Sequence, residues 1–197
     1  MDLRERILQA ADHVIRTNGL ARTTTKEIAR VAHCSEGSLY NHFQSKEDLF
    51  VQMIKGHLQH FLAVLHKLPE RVGTRTVKEN LQELAHAAIE YFQLSIVMTA
   101  SMFTEPSFLS RHRGSFVERN EGPHRANEIL GAYLGAEQEL GRANPAINPR
   151  SAADLLLGAC FQHVFHLQFR GVKEPEEEEK RFIGDLVQTL LLGADPK

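Results

Sequence analysis

The sequence predicts an all-α protein of about nine helices, and three observations predict it. Apolar residues recur at i, i+3, i+4 and i+7 in segment after segment, the spacing of a buried helix face. Ser, Thr or Asn heads several of these segments, where a side-chain oxygen can accept a free helix N–H. Gly or Pro then closes or separates them. The chain has 197 residues, 42% of them hydrophobic and 24% charged, which suits a folded soluble protein with a real core. The pattern divides it into a three-helix N-terminal domain, residues 1–48, and a larger helical C-terminal domain, residues 49–197.

In residues 2–17, Leu3, Ile7, Ala10, Ala11, Val14 and Ile15 lie on one helix face, and Asn18-Gly19 ends it. Arg4 and Arg6 could reach a phosphate but read better as a solvated face. Thr24 can cap a second helix, with Glu27 completing a capping box, and Ile28, Ala29, Val31 and Ala32 form its apolar side. Ser35 can cap a third, carrying Leu39, Tyr40 and Phe43, while Ser45 with Asp48 opens the next. Two short capped helices separated by about three or four residues have the spacing of a helix-turn-helix. In that motif the second helix enters the DNA major groove.

The residues Thr24-Thr25, Ile28-Ala29, Ala32, Ser35-x-Gly37-Ser38-Leu39-Tyr40-x-His42-Phe43, Ser45-Lys46 and Leu49 resemble the DNA-binding region of the tetracycline-repressor (TetR) family of transcriptional regulators. Beyond this region only length and helix order are similar. His33 stands where the family usually has Gly, which implies a left-handed backbone there. Cys34 takes the place of a small apolar residue. Among the DNA-facing candidates, Lys26, Glu36, Ser38 and Asn41 are the base contacts; a Glu can accept from cytosine N4 and an Asn pairs with adenine. Glu36 reads equally well as a charge favoured at a helix N-terminus. The resemblance assigns Thr24, Thr25, Tyr40, His42 and Lys46 to phosphates, and Ser35 and Gly37 complete the set. Leu39 and Phe43 face inward. Acidic and basic side chains balance over the first fifty residues, so placement rather than net charge has to support DNA binding.

Residues 46–67 form a long helix with Leu49, Phe50, Met53, Ile54, Phe61, Leu62 and Leu65 on its apolar stripe. It is the expected mechanical link between the domains. Gly56 is a tolerated weak point, and His57, His60 and His66 lack partners at metal-binding spacing. Pro69 and Gly73 mark a connection. A helix is expected over about 74–92, followed by a separate buried apolar segment, 95–103. Glu105-Pro106 starts another helix, and residues 106–138 are helical with breaks at Gly114 and Gly122-Pro123, either hinges or helix ends. Asn148-Pro149 starts a helix that stops at Gly171; it is apolar almost all round and expected to be buried on several sides. The last helix opens with Pro175 and Glu176–Glu179. The final two helices, residues 149–193, are expected to pair with a second copy in a four-helix bundle; the alternative is that they close the core of the single chain.

The resemblance also implies a ligand pocket in the C-terminal domain. Phe61, Phe92, Met98, Met102, Phe103, Phe116, Phe161 and Phe165 are the candidates to line it, although each alone reads as plain core. His163 and His166 are placed either to orient a ligand or to sit at the dimer boundary. A small neutral apolar effector suits this set better than a cation. The expected partners are a double-stranded DNA operator, an apolar effector and a second copy, with no cofactor and no metal. The alternative is a DNA-binding dimer switched by a protein partner or by oxidation. No G-x-S-x-G, H-E-x-x-H or phosphate-loop pattern supports an enzyme. Charged residues from Asp2 onward, two distant cysteines, Cys34 and Cys160, and no run of ~18 apolar residues fit a cytoplasmic setting without a membrane span.

Overall fold

The structure is a computed structural model that describes residues 2–18, 22–104 and 123–193. The side chains of Arg16, Glu47, Val51, Ile54, residues 97–104 and Pro123 lie outside that description. The described residues form eight α-helices and no strand: α1 (Leu3–Asn18), α2 (Thr25–Val31), α3 (Glu36–Tyr40), α4 (Lys46–His66), α5 (Val77–Thr104), α6 (Pro123–Glu139), α7 (Pro149–Arg170) and α8 (Glu176–Leu192). A short 3-10 helix, Pro69–Arg71, follows α4. The chain divides into two compact units, Met1–His57 and Leu58–Lys197, with the division inside α4.

The N-terminal unit is built on α1. Its Ile7, Ala10, Ala11, Val14 and Ile15 are buried with Ile28, Ala29 and Ala32 of α2, Leu39 and Phe43 of the α3 region, and Leu49 and Met53 of α4. α2 and α3 are too short to persist alone, so this burial holds them. Fully burying a side chain such as Ile28 or Leu39 contributes roughly 1.5–3 kcal/mol. Each expected start carries its cap. Thr24 Oγ1 accepts from Glu27 N at 3.2 Å, Ser35 Oγ from Ser38 N at 3.0 Å, and Ser45 Oγ from Asp48 N at 3.1 Å. The reciprocal arms differ from a strict capping box. Asp48 accepts from Gln44 N at 2.9 Å, one residue early, and Glu27 turns to Arg30 at 3.9 Å. The turn after α2 has His33 at φ 52°, the left-handed conformation expected of that position.

The C-terminal unit packs α5 against α7 and α8, with α6 on α7 and on the short 3-10 helix. Leu65, Leu81, Leu84, Ala88, Ile89, Leu130, Ala153 and Leu156 have no exposed surface. The expectation of a helix ending near residue 92 and a separate segment over 95–103 is corrected: α5 runs unbroken for 28 residues. No Gly or Pro interrupts Val77–Thr104, and Leu94, Ser95 and Ile96 continue the buried face. Its start is three residues later than expected, at a full capping box in which Thr76 N donates to Glu79 Oε2 at 2.9 Å and Glu79 N to Thr76 Oγ1 at 3.1 Å. The expected features at Glu105-Pro106, Gly114 and Gly122 lie outside the described residues; α6 is described from Pro123.

Asn148 caps α7 as expected, its Oδ1 accepting from Ser151 N at 2.9 Å, and Gly171 ends it at φ 62°. α7 is not buried on several sides within one chain. Ala152, Ala153, Leu156, Leu157, Cys160 and Val164 face the core, whereas Leu155, Phe161, Phe165 and Phe169 are exposed. α8 starts after Pro175 with four glutamates in its first turn and buries Ile183 and Val187.

Candidate DNA-binding surface

Burial of Leu39 and Phe43 turns the other residues of the α3 region outward. Glu36, Gly37, Tyr40, Asn41 and His42 are exposed, as are Thr24 and Lys26 of the α2 start. Ser35 and Ser38 exchange a hydroxyl hydrogen bond at 2.7 Å. Lys46, in the first turn of α4, holds its Nζ 5.3 Å from the centre of the Phe50 ring. Thr25 is different: it is buried, and its Oγ1 donates to Glu36 Oε1 at 2.5 Å while accepting from the Tyr40 hydroxyl at 3.4 Å. All the nominated DNA-facing residues therefore lie at the start of α2, along α3, in the turn after it or at the start of α4. Arg22 and Arg30 are further exposed cations of this unit that the sequence pattern did not single out.

Arg4 and Arg6 both serve the unit internally. Arg6 Nη2 donates to Ala32 O at 3.3 Å, and Arg4 donates to Gln52 while lying 5.6 Å from the Phe43 ring centre. The expected solvated face describes Arg4 only in part and Arg6 less, since a guanidinium can bond a carbonyl while its stem covers apolar surface.

Residues 7–53, which span this whole arrangement, match the sequence pattern of the family described as bacterial regulatory proteins, tetR family. The chain carries the DNA-binding domain of the TetR family, and it resembles HTH-type transcriptional regulators over most of its length. QacR, an HTH-type transcriptional regulator of Staphylococcus aureus, is 41% identical over 54 residues, 27% of this chain and 29% of QacR. YvkB of Bacillus subtilis, another HTH-type regulator, is 27% identical over 184 residues, 88% of this chain and 89% of YvkB. The structure of the transcriptional regulator FadR from Bacillus subtilis in complex with stearoyl-CoA shares the fold, with a TM-score of 0.53 and 18% identity over 97% of this chain and 99% of FadR.

In the C-terminal unit, three of the pocket candidates meet. Phe61, Phe92 and Phe161 join Tyr91 in one aromatic cluster: Phe61 stacks on Tyr91 at 5.8 Å, Tyr91 lies 5.5 Å from Phe92, and Phe161 meets Phe92 edge-on at 5.5 Å. Tyr91 was not nominated, although it neighbours Phe92 in sequence. Burial pushes its phenol pKa up, partly offset by a hydrogen bond with Ser95. Phe165 is not in the cluster; it stacks on Phe169 at 6.1 Å on the exposed side of α7. Phe116 and the side chains of Met98, Met102 and Phe103 lie outside the described residues. His163 is taken up internally, 2.6 Å from Glu174 and stacked on Phe182 at 3.8 Å, whereas His166 is exposed beside Phe165. A small crevice between Leu134, Ile147, Pro149, Ala152 and Leu190 is closed at one side by Gln138, whose amide bridges Asn144 O and Ile147 O at 2.7 Å each. Both cysteines are free; Cys34 is partly exposed, and burial pushes the Cys160 thiol up to about 12. Among the described residues no helix is long and apolar enough to cross a membrane.

Proposed function

We propose that this protein is a TetR-family repressor that binds a palindromic operator as a homodimer and is released by a small apolar effector. The observation that carries the DNA-binding part is the outward display of Tyr40, Asn41 and His42 from a helix anchored by buried Leu39 and Phe43. Asn41, Ser38 and Lys26 are the proposed base contacts. Thr24, Tyr40, His42 and Lys46 are the proposed phosphate contacts, with Ser35 and Gly37 shaping the helix start.

Dimerisation is supported by α7. Leu155, Phe165 and Phe169 recur at helical spacing, and Phe169 is 81% exposed in the single chain. Large apolar groups in such a row are stable when a second copy covers them. An apolar effector is supported by the Phe61, Tyr91, Phe92 and Phe161 cluster, which offers one phenol among aromatic surface. FadR holds stearoyl-CoA on the same fold, so long acyl compounds are the first class to try. α4 enters both compact units and is the proposed route by which ligand binding shifts the DNA-binding conformer.

The test is a footprint on DNA flanking the gene. Two symmetric protected half-sites about one helical turn apart are expected, with affinity falling steeply as salt rises. A flat salt titration, or a single unpaired site, rejects the docking scheme. Melting with acyl and aromatic ligands tests the effector, because a binder of the folded state raises the midpoint. One observation favours a second reading without a small molecule: Cys34 is partly exposed in the turn between α2 and α3, where oxidation would alter the motif. Operator affinity lost on peroxide treatment and kept in Cys34→Ser would support it.

A further inference from the structure

Glu36 and Tyr40 stand four residues apart on α3 and so share a helix face. Both reach the same hydroxyl on a different helix, Thr25 Oγ1 at the start of α2. A threonine hydroxyl has one proton. Here it goes to Glu36 Oε1 at 2.5 Å, and the oxygen accepts from the Tyr40 phenol at 3.4 Å. Thr25 therefore has no proton left for a phosphate, and the Glu36 carboxylate is turned toward its own protein. α3 has only five residues, and Leu39 alone is its buried residue. Leu39, with Phe43 just beyond the helix end, anchors one side of it and does not by itself fix its pitch. Hydrogen bonds from its first and last residues to one point on α2 do. A helix of one turn also has little macrodipole to favour a charge at its start.

We propose that Glu36 is a positioning residue, held by the Thr25 hydroxyl and setting the pose of α3, and not a reader of a base. This rests on the DNA-binding reading above. Glu36→Gln and Glu36→Ala both remove the charge, but only Gln retains an oxygen that accepts from Thr25. The comparison between them isolates the hydrogen bond from the loss of repulsion toward phosphates. Thr25→Val keeps the shape of residue 25 and removes its proton.

The experiment measures operator affinity for the four combinations of Gln or Ala at position 36 with Thr or Val at position 25. It also measures base preference at every operator position for the wild-type chain and Glu36→Ala. Circular dichroism melts verify that each variant is folded. The expected result is that Glu36→Gln binds about fivefold tighter than Glu36→Ala, and that this gap closes in the Thr25→Val background. Base preferences are expected to be the same in Glu36→Ala as in the wild-type chain. A gap that persists without the Thr25 hydroxyl overturns the proposal. So does a loss of about tenfold discrimination at one base pair in Glu36→Ala, the signature of direct readout. Failure of the underlying reading looks different: the wild-type chain itself would show no sequence-specific binding, and the assignment would fall with it.

Discussion

Glu137, whose side chain has no solvent exposure, accepts a hydrogen bond from Arg142 Nε at 2.6 Å. Its other carboxylate oxygen accepts from Gly73 N at 3.1 Å, and its backbone oxygen accepts from Arg142 N at 2.8 Å. Arg142 also donates to the carbonyls of Thr74 and Arg75. One ion pair thus ties the end of α6 to the segment leading into α5. Removing the cation alone leaves a buried carboxylate with too few donors. Arg142→Ala is expected to lower stability by about 3 kcal/mol in a urea titration. Glu137→Gln keeps one acceptor oxygen and leaves no buried charge, so it is expected to cost less.

Tyr133 sits in the same network. Its phenol accepts from Asn80 Nδ2 at 2.9 Å and bonds to Glu137, and burial above all pushes its pKa up to about 12. The unfolded phenol titrates near 10, so between pH 10 and 12 the unfolded chain loses a proton that the folded chain keeps. Stability from this residue is complete below pH 10 and declines as pH rises through that window, by roughly 3 kcal/mol in total. Tyr133→Phe is expected to be less stable at neutral pH, because Asn80 and Glu137 each lose a partner. It is also expected to lose that part of the alkaline decline, which urea midpoints at pH 9 and pH 11 will show.

Lys46 bears on the proposed DNA interface. Its ammonium is near Phe50 with no carboxylate partner among the described ion pairs, at the first turn of a long helix. If it neutralises one phosphate, Lys46→Ala reduces the slope of log affinity against log salt by about 1. Tyr40→Ala removes a neutral contact. It is expected to weaken all sequences alike and leave that slope unchanged. A shift titration at four salt concentrations separates the two variants.

The Phe165 and Phe169 rings stack on each other on the exposed side of α7. The sequence shows α7 as apolar all round but not which part of it serves the core, since core and interface draw on the same residue types. Phe165→Glu with Phe169→Glu places charges in the proposed seam without touching buried Leu156 or Val164. Sedimentation is expected to move from twice the chain mass to 22.2 kDa, with helical content retained. A variant that stays dimeric would put the interface elsewhere.

What was legible in the sequence was local. Thr24, Ser35, Ser45 and Asn148 each announce a helix start within four residues, and all four are caps in the structure. The helix-turn-helix followed from three of them. α5 was misdivided because its apolar periodicity dissolves into the continuous run after Leu94, where only the lack of Gly or Pro testifies to one helix. The Thr25–Glu36 bond joins residues eleven apart across a turn, and Glu137 reaches Gly73 across 64 residues. Neither pairing has a local pattern. The aromatic cluster was found only by residue type, so Phe165 was grouped with residues it does not meet.

The turn after α2 offers the sharpest test of how sequence sets backbone here. Cys34 N donates to Ala29 O at 3.0 Å and His33 N to Arg30 O at 3.2 Å. The end of α7 repeats this pair of bonds, with Val172 N to Leu167 O at 3.2 Å and Gly171 N to Gln168 O at 3.1 Å. Both are Schellman closures, and both need one residue in the left-handed region. Gly171 supplies it at φ 62°, whereas His33 does so at φ 52° with a Cβ that crowds the following carbonyl. The side chain of His33 is exposed, so replacing it removes little packing. His33→Gly is therefore expected to stabilise the chain by about 1 kcal/mol, the relief of that crowding less the extra freedom of an unfolded glycine. His33→Val adds a branch at Cβ and is expected to destabilise by about 1 kcal/mol or more. Urea midpoints for the three chains order them Gly above His above Val; Val at or above His would mean that the turn does not hold its left-handed residue in solution.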